Sequence, residues 1–302
     1  MRKKRTSGGT LVLLVLWGLV SCNRKQHAYQ PTREAPARKP GYTLVWNDEF
    51  NLNGRLDSAY WSYENGFVRN KELQWYQPQN AYCAQGALVM EGKREKVDNP
   101  QYEAASSDWR KSRPFAEYTS ASVNTRGKKA FQYGIIEVRA RIDTALGMWP
   151  AIWTLGVTKP WPANGEVDLM EYYQVENRGS ILANAAWANE RREAVWDEKK
   201  IPFSHFLAKD PDWASKFHIW RMDWTEKAIQ LYLDDELLNE IDLTQTLNAD
   251  SFNPFQQPHY LLLNLAIGSN GGDPSATSFP KRYEVDYVRV YQKETRIPQP
   301  GK

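Results

Sequence analysis

The nine residues Gly165-Glu166-Val167-Asp168-Leu169-Met170-Glu171-Tyr172-Tyr173 set three carboxylates among apolar and aromatic neighbours. A helix turns by about 100° per residue, so it would send Glu166, Asp168 and Glu171 in three directions. A strand alternates its side chains with period two, which puts Glu166 and Asp168 on one face. Glu171 is then out of phase by one residue. A single β-bulge between Asp168 and Glu171 returns it to that face. The stretch therefore predicts a bulged strand that carries a row of acids into a groove.

Period two recurs through the rest of the chain. Ile136, Val138, Ala140 and Ile142 alternate with Glu137, Arg139 and Arg141. Ile229, Leu231 and Leu233 alternate with Gln230 and Tyr232, and Asp234-Asp235 reads as a turn into Leu237-Leu238. Tyr260 to Ile267 is a continuous apolar run broken only by Asn264, which suits a strand buried on both faces. Tyr283 to Tyr291 reads as a closing strand. No long segment shows helical spacing, and no repeat recurs at a fixed period. Many short strands with Gly, Pro and Asn punctuation predict an all-β fold, a two-sheet antiparallel sandwich.

The chain divides before it folds. Residues 1–22 open with Arg2, Lys3, Lys4 and Arg5 and continue into an apolar run from Leu11 to Val20, too short to span a bilayer as a helix. The run ends Leu19-Val20-Ser21-Cys22, which resembles a bacterial lipobox. That implies lipidation of Cys22 and an exported protein anchored to a bacterial membrane or cell surface; a plain secretory signal is the alternative. Residues 23–40 are polar, basic and proline-dotted, a flexible tether. Residues 41–293 form one catalytic-size domain, and 294–302 a short tail.

Charge follows the same division. Residues 1–40 hold nine of the 39 Lys and Arg and one of the 36 acids, so the overall net charge of +3 belongs to the leader and tether. The remainder is net acidic, which removes the case for nucleic-acid binding. With Cys22 lipidated, Cys83 is the sole remaining thiol and no internal disulfide is available. Twelve of the 13 Trp fall after the tether, more than a core of this size needs, and they predict a surface that stacks on something flat.

A row of acids in a groove has a recognisable chemistry. Retaining glycoside hydrolysis needs an ionised carboxylate and a protonated carboxyl roughly 5–5.5 Å apart. Two long Glu side chains leaning from one face suit that separation. Asp168 between them would hydrogen-bond to one and fix its charge state. The alternative is a solvated acidic face, which the apolar flanks and nearby tryptophans disfavour. Sugar rings offer apolar faces rimmed by hydroxyls, and Trp149, Trp153 and Trp161 bracket the acidic strand closely enough to serve as platforms.

At these residues the sequence resembles glycoside hydrolase family 16, in its laminarinase-like branch with the bulged E-x-D-x-x-E motif. The motif is preceded by Gly147-Met148-Trp149-Pro150-Ala151-Ile152-Trp153. Trp46-Asn47-Asp48-Glu49-Phe50, Asn70-Lys71-Glu72-Leu73-Gln74-Trp75-Tyr76 and Val285 to Tyr291 also resemble family segments, in the correct order. The resemblance implies a β-jelly roll with a substrate cleft on its concave face. It implies Glu166 as nucleophile, Asp168 as assisting acid and Glu171 as acid/base, and it adds Asn70 and Glu72 as cleft residues. It implies no cofactor for catalysis. It also points to a structural calcium at Glu49, the Gly86 backbone and Asp286, with metal-free surface carboxylates as the alternative.

The departures from the family pattern bear on substrate. Laminarinase-like members often carry T-x-H after the acidic strand, where this chain has Asn184-Ala185-Ala186-Trp187. Trp187 is therefore expected as a stacking platform in the cleft. The insert from Tyr102 to Glu117, with Trp109, Arg110, Lys111 and Arg113, reads as a solvated loop or as a source of cations for an acidic glycan. His218 reads as a packed histidine, and His27, His205 and His259 show no metal-ligand spacing.

The expected function is a monomeric retaining endo-glycosidase acting on a polysaccharide. The lead substrate is a β-1,3- or mixed-linkage β-glucan. An endo-β-galactosidase acting on a galactan or host-type glycan is the alternative within the family. A non-catalytic surface glycan-binding protein is the alternative outside it, and would not need three intact acids. Transglycosylation shares the same covalent intermediate.

Overall fold

A computed structural model describes residues 36–294. The leader with Cys22, most of the tether with His27, and the tail beyond residue 294 lie outside the described residues.

Two sheets face each other. The larger runs Glu236–Asp242, Ala228–Leu233, His218–Trp224, Gly134–Arg141, Lys281–Lys293, Ala87–Asp98, Phe115–Ser120 and Gln74–Tyr76. Tyr42–Asp48 pairs with its long strand Lys281–Lys293, and Ala81–Ala84 pairs with Ala87–Asp98. The smaller runs Ala194–Pro202, Arg178–Ala188, Glu166–Val175, Met148–Gly156, His259–Ile267, Ser122–Asn124 and Ser62–Tyr63. Pairing is antiparallel except between Gln74–Tyr76 and Phe115–Ser120. The longest helix among the described residues is Ser204–Lys209. This is the all-β sandwich that the alternation predicts.

The sandwich interior is one apolar cluster fed by both sheets. The larger contributes Met90, Ile136, Val138, Trp220, Leu231, Val288 and Val290, and the smaller contributes Ile152, Val167, Leu169, Leu261, Leu263 and Leu265. With Cys83 free and buried, packing has to hold the domain together. Burial pushes the Cys83 thiol up to about 12, which leaves it inert.

The smaller sheet is apolar on its outer face as well. Ala151, Trp153, Tyr260 and Leu262 form a second buried cluster there, with Leu155 packed against it. This explains why every residue of His259–Ile267 is buried. Its odd-numbered residues enter the sandwich, and its even-numbered ones face outward, where Tyr260 and Leu262 join the second cluster and Asn264 lines a cleft. Apolar burial contributes about 25 cal/mol per Å², so this strand anchors both layers.

Leu263 is fully buried in the middle of that strand. Leu263→Ala should cost about 2–5 kcal/mol through the cavity it leaves. Urea unfolding should show a lower midpoint with an unchanged slope; an unchanged midpoint would place the core elsewhere.

Candidate active site

The acidic strand Glu166–Val175 is bulged where the alternation requires. Asp168 pairs with Asn184 and Glu171 with Leu182 on one side, so the register slips between them. On the other side Asp168 pairs with Trp153 and Met170 with Ile152. Leu169 and Met170, consecutive in sequence, both enter the sandwich core. That double inward step brings Glu171 back to the face of Glu166 and Asp168. Gly165 sets the strand's start: its φ is +78°, and a Cβ there would meet Pro254 Cβ at 2.7 Å.

All three acids line a cleft of about 730 Å³ on the outer face of the smaller sheet, with Trp149, Trp153 and Trp161. Trp149 and Trp153 share that face because Met148–Gly156 keeps period two from one to the other. The Trp149 indole donates to Glu171 Oε1 at 2.8 Å. Trp161, half-exposed on the loop before the strand, donates to Glu166 Oε2 at 2.5 Å. Trp153 donates to Asn264 Oδ1 at 2.7 Å and lies flat in the floor.

Burial and mutual repulsion set the protonation states. Burial raises the Glu171 carboxyl to about 8; Glu166, Glu198 and Glu72 add to this, and the Trp149 N–H works against it. Burial raises Glu166 too, opposed by the Trp161 N–H, a hydrogen bond with Asp168 and the charge of Arg69. Asp168 is raised well above the usual carboxylate range, by burial first and then by Glu171 and Glu166. It is 2% exposed, and its Oδ2 finds no donor. A proton on Asp168, donated to Glu166, resolves that orphaned oxygen and favours the Glu166 anion. The three acids thus share one strand face, with burial raising Glu171 to about 8 and the rise of Glu166 opposed by the Trp161 N–H, Asp168 and Arg69.

Asn70 and Glu72 also line the cleft. Glu72 is buried, accepts from Gln74 Nε2 at 2.6 Å and Asn70 Nδ2 at 3.3 Å, and braces the floor from below. Asn70 and Lys71 have φ of 55° and 52°, a left-handed turn that costs non-glycine residues about 1–2 kcal/mol each. The 102–117 insert holds this turn. Arg113 donates to the Glu72 and Lys71 carbonyls, and Arg110, itself on the cleft rim, donates twice to the Val68 carbonyl.

Trp187 needs correction. Asn184 faces the cleft, so three residues further along an unbulged strand the side chain faces the sandwich. Trp187 packs there edge-on against Phe255, with ring centroids 6.5 Å apart. The aromatic in the cleft is Trp196, on the neighbouring strand Ala194–Pro202, beside Glu198. Sequence reasoning missed Trp196 because it did not place the hairpin turn at Asn189–Glu193. Once that turn is placed, Asn184 pairs with Glu198 and Ala186 with Trp196. Arg69 was also missed. Its guanidinium lies 5.1 Å over the Trp153 ring and pairs with Glu64.

At the calcium positions both carboxylates are met by arginines. Glu49 is held by Arg289 through both carboxylate oxygens, at 2.9 Å each, and Asp286 by Arg139 at 2.5 Å. Arginine already supplies the positive charge, and no group of three metal-ligating side chains occurs among the described residues. His218 is packed: it stacks on Trp213 at 3.8 Å, with Asp234 at Nδ1 and the Trp213 carbonyl at Nε2.

Two pH experiments follow from these states. The kcat/KM profile should fall on its alkaline side near pH 8 as Glu171 ionises. Trp149→Phe removes a donor to the anion and should move that limb to higher pH; Glu198→Gln removes a repelling charge and should move it lower. Shifts in the opposite senses would rule out Glu171 as the group titrating there. Stability gives the second. The folded Glu171 carboxyl titrates above its unfolded value of about 4.3, so its contribution is full below that pH and is lost as pH rises through 8. Glu171→Gln lacks this loss, and urea midpoints should favour the variant increasingly from about pH 5 to 8.

The sequence model described as Glycosyl hydrolases family 16 matches residues 70–289. The chain is 31% identical over 283 residues to a beta-glucanase of Rhodothermus marinus, covering 84% of this chain and 87% of that one. It is 30% identical over 277 residues to glucan endo-1,3-beta-glucosidase A1 of Niallia circulans, covering 84% of this chain but 38% of that one. It is 29% identical over 268 residues to a keratan-sulfate endo-1,4-beta-galactosidase of Sphingobacterium multivorum, covering 83% of this chain and 55% of that one. Among solved structures, one from work on endo-acting O-glycanases, with which human gut bacteria initiate mucin breakdown, superposes with a TM-score of 0.77 at 34% identity. It covers 86% of this chain and 94% of that one. The laminarinase catalytic domain of Thermotoga maritima MSB8 superposes with a TM-score of 0.67 at 30% identity, covering 84% and 99%.

Proposed function

The chain belongs to glycoside hydrolase family 16, and from that premise we propose that it is a retaining endo-glycosidase that cuts internal β-linkages of a polysaccharide. The observation that carries this is the bulge, which sets Glu166, Asp168 and Glu171 on one cleft face. Glu166 Oε attacks the anomeric carbon, and the glycosidic C–O bond breaks as Glu171 gives its proton to the leaving oxygen. Water then attacks the glycosyl ester, Glu171 takes its proton, and Glu166 departs as carboxylate. Asp168 stabilises the Glu166 carboxylate before it attacks and again as it departs. The reaction uses side chains and water alone. Trp196 and Trp161 line the cleft as exposed platforms on either side of the chain's acidic strand in sequence, which suits stacking on sugar rings.

The lead substrate is a β-1,3- or mixed-linkage β-glucan, supported by the glucanases among the relatives. A galactose-containing host-type glycan is the second reading, supported by the O-glycanase structure and the keratan-sulfate galactosidase. The N-terminal pattern ending in Cys22 supports an exported, lipid-anchored protein.

Product analysis separates the readings. Wild type and Glu166→Gln would be incubated with laminarin, mixed-linkage β-glucan, agarose, keratan-type glycans and mucin. Oligosaccharides from the β-glucans, absent with the variant, are the expected result. Products from galactose-containing glycans alone would overturn the substrate and keep the mechanism. Undiminished products with the variant would remove Glu166 from its role.

A further inference from the structure

A second recess, of about 560 Å³, opens on the other side of Trp161. Leu155 and Trp161 line both it and the cleft, so the two are contiguous. Arg126, Lys128, Lys129 and Lys159 all line it, and no carboxylate does. Lys159 pairs with Asp250, while Lys128 donates to the Ser58 and Trp61 carbonyls. Arg126 lies over the Tyr260 ring at 5.9 Å and Lys129 over the Tyr60 ring at 5.3 Å. Among the described residues, neither has a carboxylate partner.

Isolated surface lysines are ordinarily solvated and mean nothing. These four instead line one recess, whose remaining walls include Leu155, Val157, Pro160 and Trp161. Low-dielectric walls focus the field of like charges and draw in counter-ions. Asn164 lines the same recess, and its Oδ1 is buried without a donor while its Nδ2 serves the Gly156 carbonyl. A neutral sugar ring needs hydroxyl partners, not the positive charges of Arg126 and Lys129, which no carboxylate among the described residues offsets. The cleft, by contrast, is lined by the carboxylates Glu72, Glu166, Asp168, Glu171 and Glu198 with Arg69 and Arg110.

We propose that this recess is a side subsite for an anionic substituent of the glycan, a sulfate ester or a carboxylate. Arg126 and Lys129 supply the charge-assisted hydrogen bonds and Trp161 separates the substituent from the reacting acids. The proposal rests on the endo-glycosidase reading and is indifferent to which backbone is cut.

The test uses matched pairs: keratan sulfate and its desulfated form, sialylated and desialylated mucin glycans, and lightly sulfated and plain laminarin. For the backbone that is cut, kcat/KM for the anionic member should exceed the neutral by about tenfold at low salt, chiefly through KM, and the ratio should fall toward one at high salt. R126Q/K129Q should bring the ratio to near one at low salt while the neutral member changes less than about twofold, since Arg126 is exposed and Lys129 half-buried. A preference for sulfate alone, or for carboxylate alone, supports the proposal and names the substituent. Parity in the wild type, or a preference that survives in R126Q/K129Q, overturns it. Calorimetric binding of Glu166→Gln to the same pairs is measured alongside. Should no member of any pair be cut, the enzyme reading fails, and the ratio of Kd values for anionic and neutral members decides the subsite by the same criterion.

Discussion

A strand can show residues i, i+2 and i+5 on one face only if it takes one extra inward step. Leu169 and Met170 make that step, and both are fully buried. Their burial is what fixes the register: a slip by one residue would carry Leu169 out of the core and the acids into it, a loss of several kcal/mol on either count. The geometry of the acids is therefore enforced from behind, by hydrophobic packing. The sandwich core and the cleft are two faces of one constraint.

The same sheet accepts an electrostatic burden to make the cleft reactive. Glu166, Asp168 and Glu171 sit where burial and mutual repulsion disfavour their charges. Each Glu has an indole N–H aimed at it, from Trp161 or Trp149. The tryptophans thus serve twice, as apolar walls and as donors that set the acids' protonation. This double use explains why the aromatic residues crowd around the acidic strand rather than spreading over the surface.

Much of this was legible in the sequence, because period two is a property of the strand alone. The strand from Ala228 to Leu233, the turn at Asp234 and the inward or outward sense of Glu166 and Asp168 follow from alternation. The bulge was legible because the motif is out of phase without one. What failed was pairing. Trp187 was read as a cleft platform because its strand phase was not carried forward from Asn184, and Trp196 was invisible without the hairpin that brings it alongside. Arg69 has no local signal at all; its place over Trp153 depends on a turn held by arginines some forty residues away. Long-range bracing of that kind leaves no periodic trace.

The outer face of the smaller sheet has a consequence of its own. Sheets in a sandwich normally bury one face and wet the other. Here Trp153, Tyr260, Leu262 and Leu155 make the outer face a second core, covered at Trp153 by Arg69 and open where the cleft begins. A glycan laid along it supplies the missing layer with the flat faces of its sugar rings. While it is bound, the polymer is the third leaf of a three-layer protein, and each cut dissolves part of the architecture that held it.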